Sequence, residues 1–500
     1  MLRLTSTSIS YFGNRLRLPS CDGVFVSQIE SYLDELSLQR AHLRVIVCAG
    51  LGVFLDGYDS AMIAVAIVFI SRYWQLTPAS IGLVAASVLL GAMAGGALGG
   101  RCADLYGRKW LYLIDIATFF LAAILSALAW NVASLFLFRF LVGVGIGIDY
   151  PLSAAFLAEF APRKRRGSIM SGSFGLFFAA GSVSAMLVGY LLSGLGADAW
   201  RLLFASGALP AIALLVLRRR LPESPRWLLG KGRVDQAIAA LRAFRPDCPS
   251  EVTESVTASR KQAPQRSGAG WQQLFSIQYR RRMALAALPW FLYDFVAYGY
   301  NIYVPTLLLA FGVKSFGGSI LLSTGLKVIG TGGYVLAAVL VDRVGRIRFQ
   351  SLGFLSLAAC MIALALLAMS GVAAILPIVL CMLVVKICIA FPDVTTWSLP
   401  VELFPTELRA TAHGLATSFS RIGAATSVFF FPMLQHLWGI GPLLLAIAAA
   451  QIVAFLLTAL TAQEPAGRSL EEIALPEVLL AGDAGRGVRP LAVASIPEEP

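Results

Sequence analysis

The chain has 500 residues, 58% of them hydrophobic and 14% charged, with a mean hydropathy of +0.76. Soluble globular domains carry about 25% charged residues, so this balance excludes a soluble protein and predicts a polytopic membrane protein. The net charge of +12 does not point to nucleic acid, because the basic residues gather in alternate loops, at 101–109, 163–166, 218–282 and 343–348. Such asymmetry is the positive-inside pattern, and it predicts a multi-pass protein of the cell membrane with both termini in the cytoplasm.

Residues 1–42 form a cytoplasmic N-terminal segment with no apolar core behind a basic start, so no cleaved signal peptide is expected. Twelve apolar runs follow, near 43–70, 79–100, 110–130, 133–160, 168–194, 200–217, 284–311, 317–341, 349–370, 374–401, 411–436 and 440–462. Each can cross about 30 Å of hydrocarbon as a helix. They divide into an N-terminal six-helix bundle (43–217) and a C-terminal one (284–462), joined by a polar cytoplasmic linker (218–283) with a short helix over 233–244. The tail, 463–500, is polar and Pro-rich and is expected to be disordered. Glycines at helical spacing, Gly91, Gly95 and Gly99 or Gly143 and Gly147, read as close helix packing. The seven cysteines lack metal-ligand spacing and read as small hydrophobes.

The two halves repeat each other. Glu159-Phe-Ala-Pro162-Arg-Lys-Arg-Arg166-Gly167 returns as Glu402-Leu-Phe-Pro405-Thr-Glu-Leu-Arg409-Ala410, and Asp104-Leu-Tyr-Gly107-Arg108-Lys109 returns as Asp342-Arg-Val-Gly345-Arg346-Ile-Arg348. Duplicated membrane halves create a single site at a pseudo-symmetry axis that can open to either side, which points to transport. Asp104 and Asp342 are placed to cap or neutralise helix N-termini, while Arg108 and Arg346 can reach Glu159 and Glu402. With Gly107, Arg166 and Arg409 they make a conformational gate whose contacts form and break as the bundles close and part.

Ionisable residues inside a bilayer are costly, and they mark polar cavities. Here they are Asp56 and Asp59 in the first span, Asp115 in the third, Arg139 and Asp149 in the fourth, Asp294 in the seventh, Lys327 in the eighth, and Lys386 and Asp393 in the tenth. Asp56 with Asp294, and Asp149 with Asp393, fall on equivalent helices of the two halves. A carboxylate in a partly dry cavity can load and release a proton, which makes Asp56, Asp59 and Asp149 proton-coupling candidates. The plainer reading is neutralisation of neighbouring cations, such as Lys386 by Asp393. Trp290, Asp294 and Tyr298 share one helix face; with Tyr58, Tyr150, Asp393 and Trp397 they are the substrate-binding candidates. Excess acid suits a cation or polyol, whereas Arg139, Lys327 and Lys386 suit an organic anion.

From about Arg44 to Glu464 the chain resembles the major facilitator superfamily. Gly100-Arg-Cys-Ala-Asp104-Leu-Tyr-Gly107-Arg108-Lys109 is similar to that family's G-x-x-x-D-R-x-G-R-R/K loop, with Leu105 in place of a basic residue. Arg139-x-x-x-Gly143-x-Gly145, Glu159-x-x-Pro162-x-x-x-Arg166-Gly167 and Pro222-Glu-Ser-Pro-Arg-Trp227 resemble the sugar-porter signatures, although the seventh span lacks their Q-Q pair. Gly145-Ile-Gly-Ile-Asp149-Tyr150-Pro-Leu-Ser153 and Trp290-x-x-x-Asp294-x-x-x-Tyr298 look like the phosphate:proton symporters, with Ser420-Arg421 in place of G-K. The resemblance implies an all-α integral membrane protein with twelve transmembrane helices in two pseudo-symmetric six-helix bundles, the major facilitator fold. It also implies a proton-coupled secondary transporter of a small polar metabolite in a bacterial inner membrane, with Asp59 and Asp149 foremost as proton carriers and Asp56 as their rival; because one chain carries both halves, it is expected to work as a monomer. An uncoupled facilitator or effluxer and a non-transporting sensor of the same fold are the alternatives. No phosphate loop, metal-ligand cluster or nucleophile-base motif appears and the only imidazoles are His42, His413 and His436, so neither an enzyme nor a cofactor or metal is expected.

Overall fold

The computed structural model describes residues 40–192, 195–196, 198–219, 221–244, 271–314, 316–370, 375–406, 408–461 and 464–465. Most of the N-terminal segment, the middle of the linker (245–270) and the tail from 466 lie outside the described residues, as do Cys21 and Cys248.

In the bilayer every backbone polar group must be satisfied within its own segment, and the described chain meets this with helices throughout. The first bundle comprises α1 (Arg40–Tyr73), α2 (Pro78–Tyr106), α3 (Arg108–Ala127), α4 (Val132–Phe160), α5 (Arg166–Leu192) and α6 (Ala199–Arg218). Two short linker helices follow, α7 (Pro225–Gly230) and α8 (Val234–Phe244). The second bundle comprises α9 (Arg280–Ala310), α10 (Phe316–Val344), α11 (Arg346–Met369), α12 (Ile375–Glu402), α13 (Arg409–Trp438) and α14 (Ile440–Thr461). Ten of these twelve long helices are apolar enough to be recognised as spans by hydropathy alone. The other two, α9 and α13, hold Asp294, Asn301, His413 and Arg421, and that polarity belongs to the interior they line.

Local signals set the helix ends. Thr77 caps α2 by accepting from the Ser80 amide, with Pro78 at the first helical position. Asn131 and Ser134 form a reciprocal capping box at α4. Gly107 (φ 100°) and Gly345 (φ 92°) each turn the chain sharply from one span into the next at equivalent places in the two halves, in a conformation that side chains with a Cβ avoid.

Within the first bundle α2 packs on α4. A Cβ added at Gly91 would lie 2.0 Å from the Phe140 carbonyl oxygen, and one at Gly143 2.0 Å from that of Val88. Backbone therefore meets backbone along the glycine face read from the sequence. The bundles meet chiefly through two equivalent contacts, α2 with α13 and α5 with α10. Large exposed apolar residues such as Leu191, Leu209, Leu321 and Leu460 face outward, as a lipid-facing surface requires.

Candidate functional site

At the end of the bundles where α2 turns into α3 and α10 into α11, here called the basic-loop end, four carboxylates satisfy helix N-termini in two symmetric pairs. Asp104 Oδ2 accepts from the amide and hydroxyl of Thr411 in the first turn of α13, each at 2.7 Å. Asp342 accepts from the amides of Gly167 (3.1 Å) and Ser168 (2.7 Å) in the first turn of α5. Each cap crosses from one bundle to the other. Within each half, Glu223 accepts from the amides of Arg108 (3.0 Å) and Lys109 (3.1 Å), and Glu464 from those of Arg346 (2.8 Å) and Ile347 (2.9 Å). Helix N-termini carry partial positive charge and unsatisfied N–H groups, so a carboxylate there is doubly favoured.

The basic residues complete this end. Arg108 donates to Glu159 (2.7 Å) and Arg346 forms a two-pronged contact with Glu402 (3.0 and 3.2 Å). Arg409 reaches across the bundles to the same Glu159 (3.1 Å), which also accepts from the Ser224 hydroxyl. Arg166 is buried beside them. Glu223 and Glu464 were not singled out from the sequence, although they continue the half-repeat at an offset matching that of the loop motifs. Glu223→Ala is expected to lower stability by about 1 kcal/mol through loss of the α3 cap, read as a fall in melting temperature of the purified protein; no change would remove the cap from the stability account.

Above this closed end, between the bundles, lies a cavity of about 100 Å³. One water needs roughly 10–15 Å³ by the same measure, so the space matches a small metabolite. Its walls include Asp59, Tyr150, Trp290, Asp294, Tyr298 and Asp393 from the sequence-derived candidates, joined by Lys327, Arg421, Tyr334, Phe174 and Phe178. Asp59 and Arg139 form a bidentate pair, both contacts 2.6 Å, with Arg139 fully buried. Asp294 accepts from Arg421 (2.7 Å), whose guanidinium lies over the rings of Tyr150 (4.7 Å) and Tyr298 (5.0 Å). Asp393 accepts from the Tyr334 hydroxyl (2.6 Å), and Asp56, just behind the wall, accepts from that of Tyr150.

Three candidates lie elsewhere. Tyr58 bonds Ser206 inside the first bundle (2.7 Å). Trp397 is buried against Phe174, with ring centroids 5.0 Å apart. Asp149 joins Asp115 on Arg218, at 2.6 and 3.0 Å respectively, in an ionic triad enclosed by α1, α3, α4 and α6. Its pseudo-equivalent Asp393 faces the cavity, so the half-repeat does not extend to the direction of these side chains. Lys386 donates to Asn301 rather than pairing with Asp393. In the sequence Arg421 stands out only as a substitution in a motif. A lone arginine deep inside an apolar span is the same kind of signal as the acids that were selected, and it would have identified this cavity residue.

The chain matches the sugar (and other) transporter family over residues 45–475. It is 33% identical to the inner membrane metabolite transport protein YgcS of Escherichia coli (strain K12), over 86% of this chain and 94% of that protein. It is 30% identical to the arabinose-proton symporter of Bacillus subtilis (strain 168), over 86% and 94% respectively. Among solved structures it is similar to the proton:xylose symporter XylE of E. coli bound to 6-bromo-6-deoxy-D-glucose, with a TM-score of 0.74, 26% identity, and 88% of this chain and 98% of that one covered. With its twelve helices in two repeated bundles around a central polar cavity, the chain is a membrane transporter rather than an enzyme, and it belongs to the sugar (and other) transporter family of the major facilitator superfamily.

Proposed function

We propose that this protein is a proton-coupled symporter that carries a small polar metabolite across a bacterial inner membrane by alternating access, acting as a monomer with both termini in the cytoplasm. The observation that carries the reading is the buried Asp59–Arg139 pair in the cavity wall. A proton arriving on Asp59 discharges one half of the pair and leaves Arg139 without its partner, so proton loading and the local packing of α1 against α4 become one event. The bundles then have a reason to exchange between two arrangements, because proton and substrate bind those arrangements with different free energies. The basic-loop end supplies the other half of the cycle. Its inter-bundle caps, Asp104 on α13 and Asp342 on α5, hold that end shut and must break for the cavity to open there. Proton coupling in the names of the arabinose and xylose relatives supports the same reading.

The test is uptake of a panel of labelled sugars and organic acids into proteoliposomes under an imposed pH gradient. One proton per solute can sustain about tenfold accumulation for each unit of gradient, since one unit is worth about 1.36 kcal/mol. Asp59→Asn is expected to abolish accumulation while retaining exchange of solute between the two sides. Gradient-driven accumulation at wild-type levels in this variant would remove Asp59 as the coupling group and favour an uncoupled facilitator.

A further inference from the structure

We propose that the ligand of the central cavity is an organic anion, a small monocarboxylate with an apolar or aromatic body, whose carboxylate pairs with Lys327. This deepens the transporter reading and rests on it.

The assignment follows from which charges in the cavity are already matched. Asp59 is paired with Arg139 and Asp294 with Arg421. Asp393 in the wall and Asp56 just behind it are each hydrogen-bonded by a neutral tyrosine hydroxyl, which occupies the carboxylate without cancelling its charge. Lys327 on α10 lines the same cavity, and among the described residues no carboxylate lies within ion-pair distance of its Nζ. Its close neighbour is the face of the Phe178 ring, 5.2 Å away. The charges of Asp393 and Asp56 reach Lys327 only through space, so its ammonium has no direct ionic contact among the described residues of the wall, and a ligand carboxylate supplies one. Lys386, one helix away, already donates to Asn301 and lies over the Tyr300 ring at 5.1 Å, whereas Lys327 at the wall has no direct ionic contact among the described residues.

The rest of the lining describes the body of the ligand. It is dominated by rings, with Ile63, Val88, Leu89 and Met186 between them. Among the described residues it holds no glutamine, and Asn301, the asparagine there, already accepts from Lys386. The phenols of Tyr150 and Tyr334 are spent on carboxylates rather than offered to a ligand. An aromatic or aliphatic body stacks on this wall without leaving polar groups unmet.

The experiment is ligand-induced thermal stabilisation of the purified full-length protein with four probes: benzoate, its uncharged isostere benzamide, the cation benzylamine, and D-xylose. Benzoate is expected to stabilise the wild type. Lys327→Gln is expected to weaken benzoate binding about 30-fold or more, the usual consequence of removing one partner of a buried charge pair, while Lys327→Arg retains it. Equal binding of benzoate and benzamide, unaltered benzoate binding in Lys327→Gln, or no stabilisation by benzoate overturns the proposal. If Lys327→Gln does not fold, the wild-type preference for benzoate over benzamide and its retention in Lys327→Arg decide the matter. Uptake of the same probes into proteoliposomes separates the two levels of the reading. Transport of xylose or benzylamine without benzoate binding leaves a transporter and overturns the anion. Lys327-dependent benzoate binding with no gradient-driven uptake of benzoate keeps the anion site and counts against the proposed proton-coupled symport.

Discussion

Arg218→Met is expected to destabilise the protein by about 3–5 kcal/mol, the cost of stripping the partner from buried opposite charges. Arg218 is 1% exposed at the last turn of α6. It pairs with Asp115 (3.0 Å) and Asp149 (2.6 Å), donates to the Cys48 carbonyl (3.2 Å) and lies 4.0 Å from the centroid of the Tyr112 ring. One side chain therefore ties four helices together. Gly52 on α1 is what lets the triad fit: a Cβ there would sit 1.9 Å from Asp149 Oδ2 and 2.4 Å from an Arg218 terminal nitrogen. Removing the guanidinium leaves two carboxylates facing one another in the bundle interior. The measurement is thermal unfolding of the purified variants. The combined variant Asp115→Asn, Asp149→Asn and Arg218→Met should recover most of the loss, because neutral side chains no longer need the pairing. A single Arg218→Met variant within about 1 kcal/mol of wild type would show that the triad is not what holds α6 to the bundle.

Gly414→Val is expected to disable transport by preventing closure at the basic-loop end. A Cβ at Gly414 would lie 2.1 Å from the Gly96 carbonyl oxygen, and one at Gly100 2.2 Å from that of Ala410. Both clashes involve backbone, so α2 and α13 must separate rather than a side chain swing away. Ser418 marks how close the helices run, since its hydroxyl donates to the Met93 carbonyl across the bundle interface at 2.6 Å. Overpacking of this kind costs about 1–3 kcal/mol. Charged to the closed arrangement alone, that shifts the balance between open and closed by about 5- to 150-fold. Spin labels at Tyr106→Cys and Arg348→Cys, both exposed and on opposite bundles at this end, would report a longer distance in the Gly414→Val background, made on a chain freed of its native cysteines. An unchanged distance together with normal uptake would rule out α2–α13 contact as a condition of closure.

The contacts of the basic-loop end and those of the cavity were legible to different degrees. Asp104, Arg108, Glu159 and their counterparts in the second half stand in motifs whose spacing is local, so the sequence located both sets and also indicated that Arg108 meets Glu159 and Arg346 meets Glu402. It did not indicate that each aspartate caps a helix of the opposite bundle, nor that Arg409 crosses over to Glu159. Those contacts join residues 174 to 307 positions apart, and nothing in the neighbourhood of either residue encodes the partner.

What the sequence determined by itself was the set of elements: twelve runs of membrane length, their division into two repeated bundles, and acids on equivalent helices of each. The hydrocarbon core enforces this, because it accepts only segments that satisfy their own backbone and it taxes every ionisable group placed within them. Composition and spacing along the chain are then enough. The tertiary structure alone decided which way those groups point and what they meet. Asp149 turns into its own bundle onto Arg218 while Asp393 turns to the cavity; Arg421 joins Asp294 between two tyrosine rings; Lys386 finds Asn301. Lys327 lines the cavity over the Phe178 ring. The face a helix presents to a cavity depends on the neighbours that cover its other faces, and an ion pair forms wherever packing brings opposite charges together, however far apart they stand in the chain.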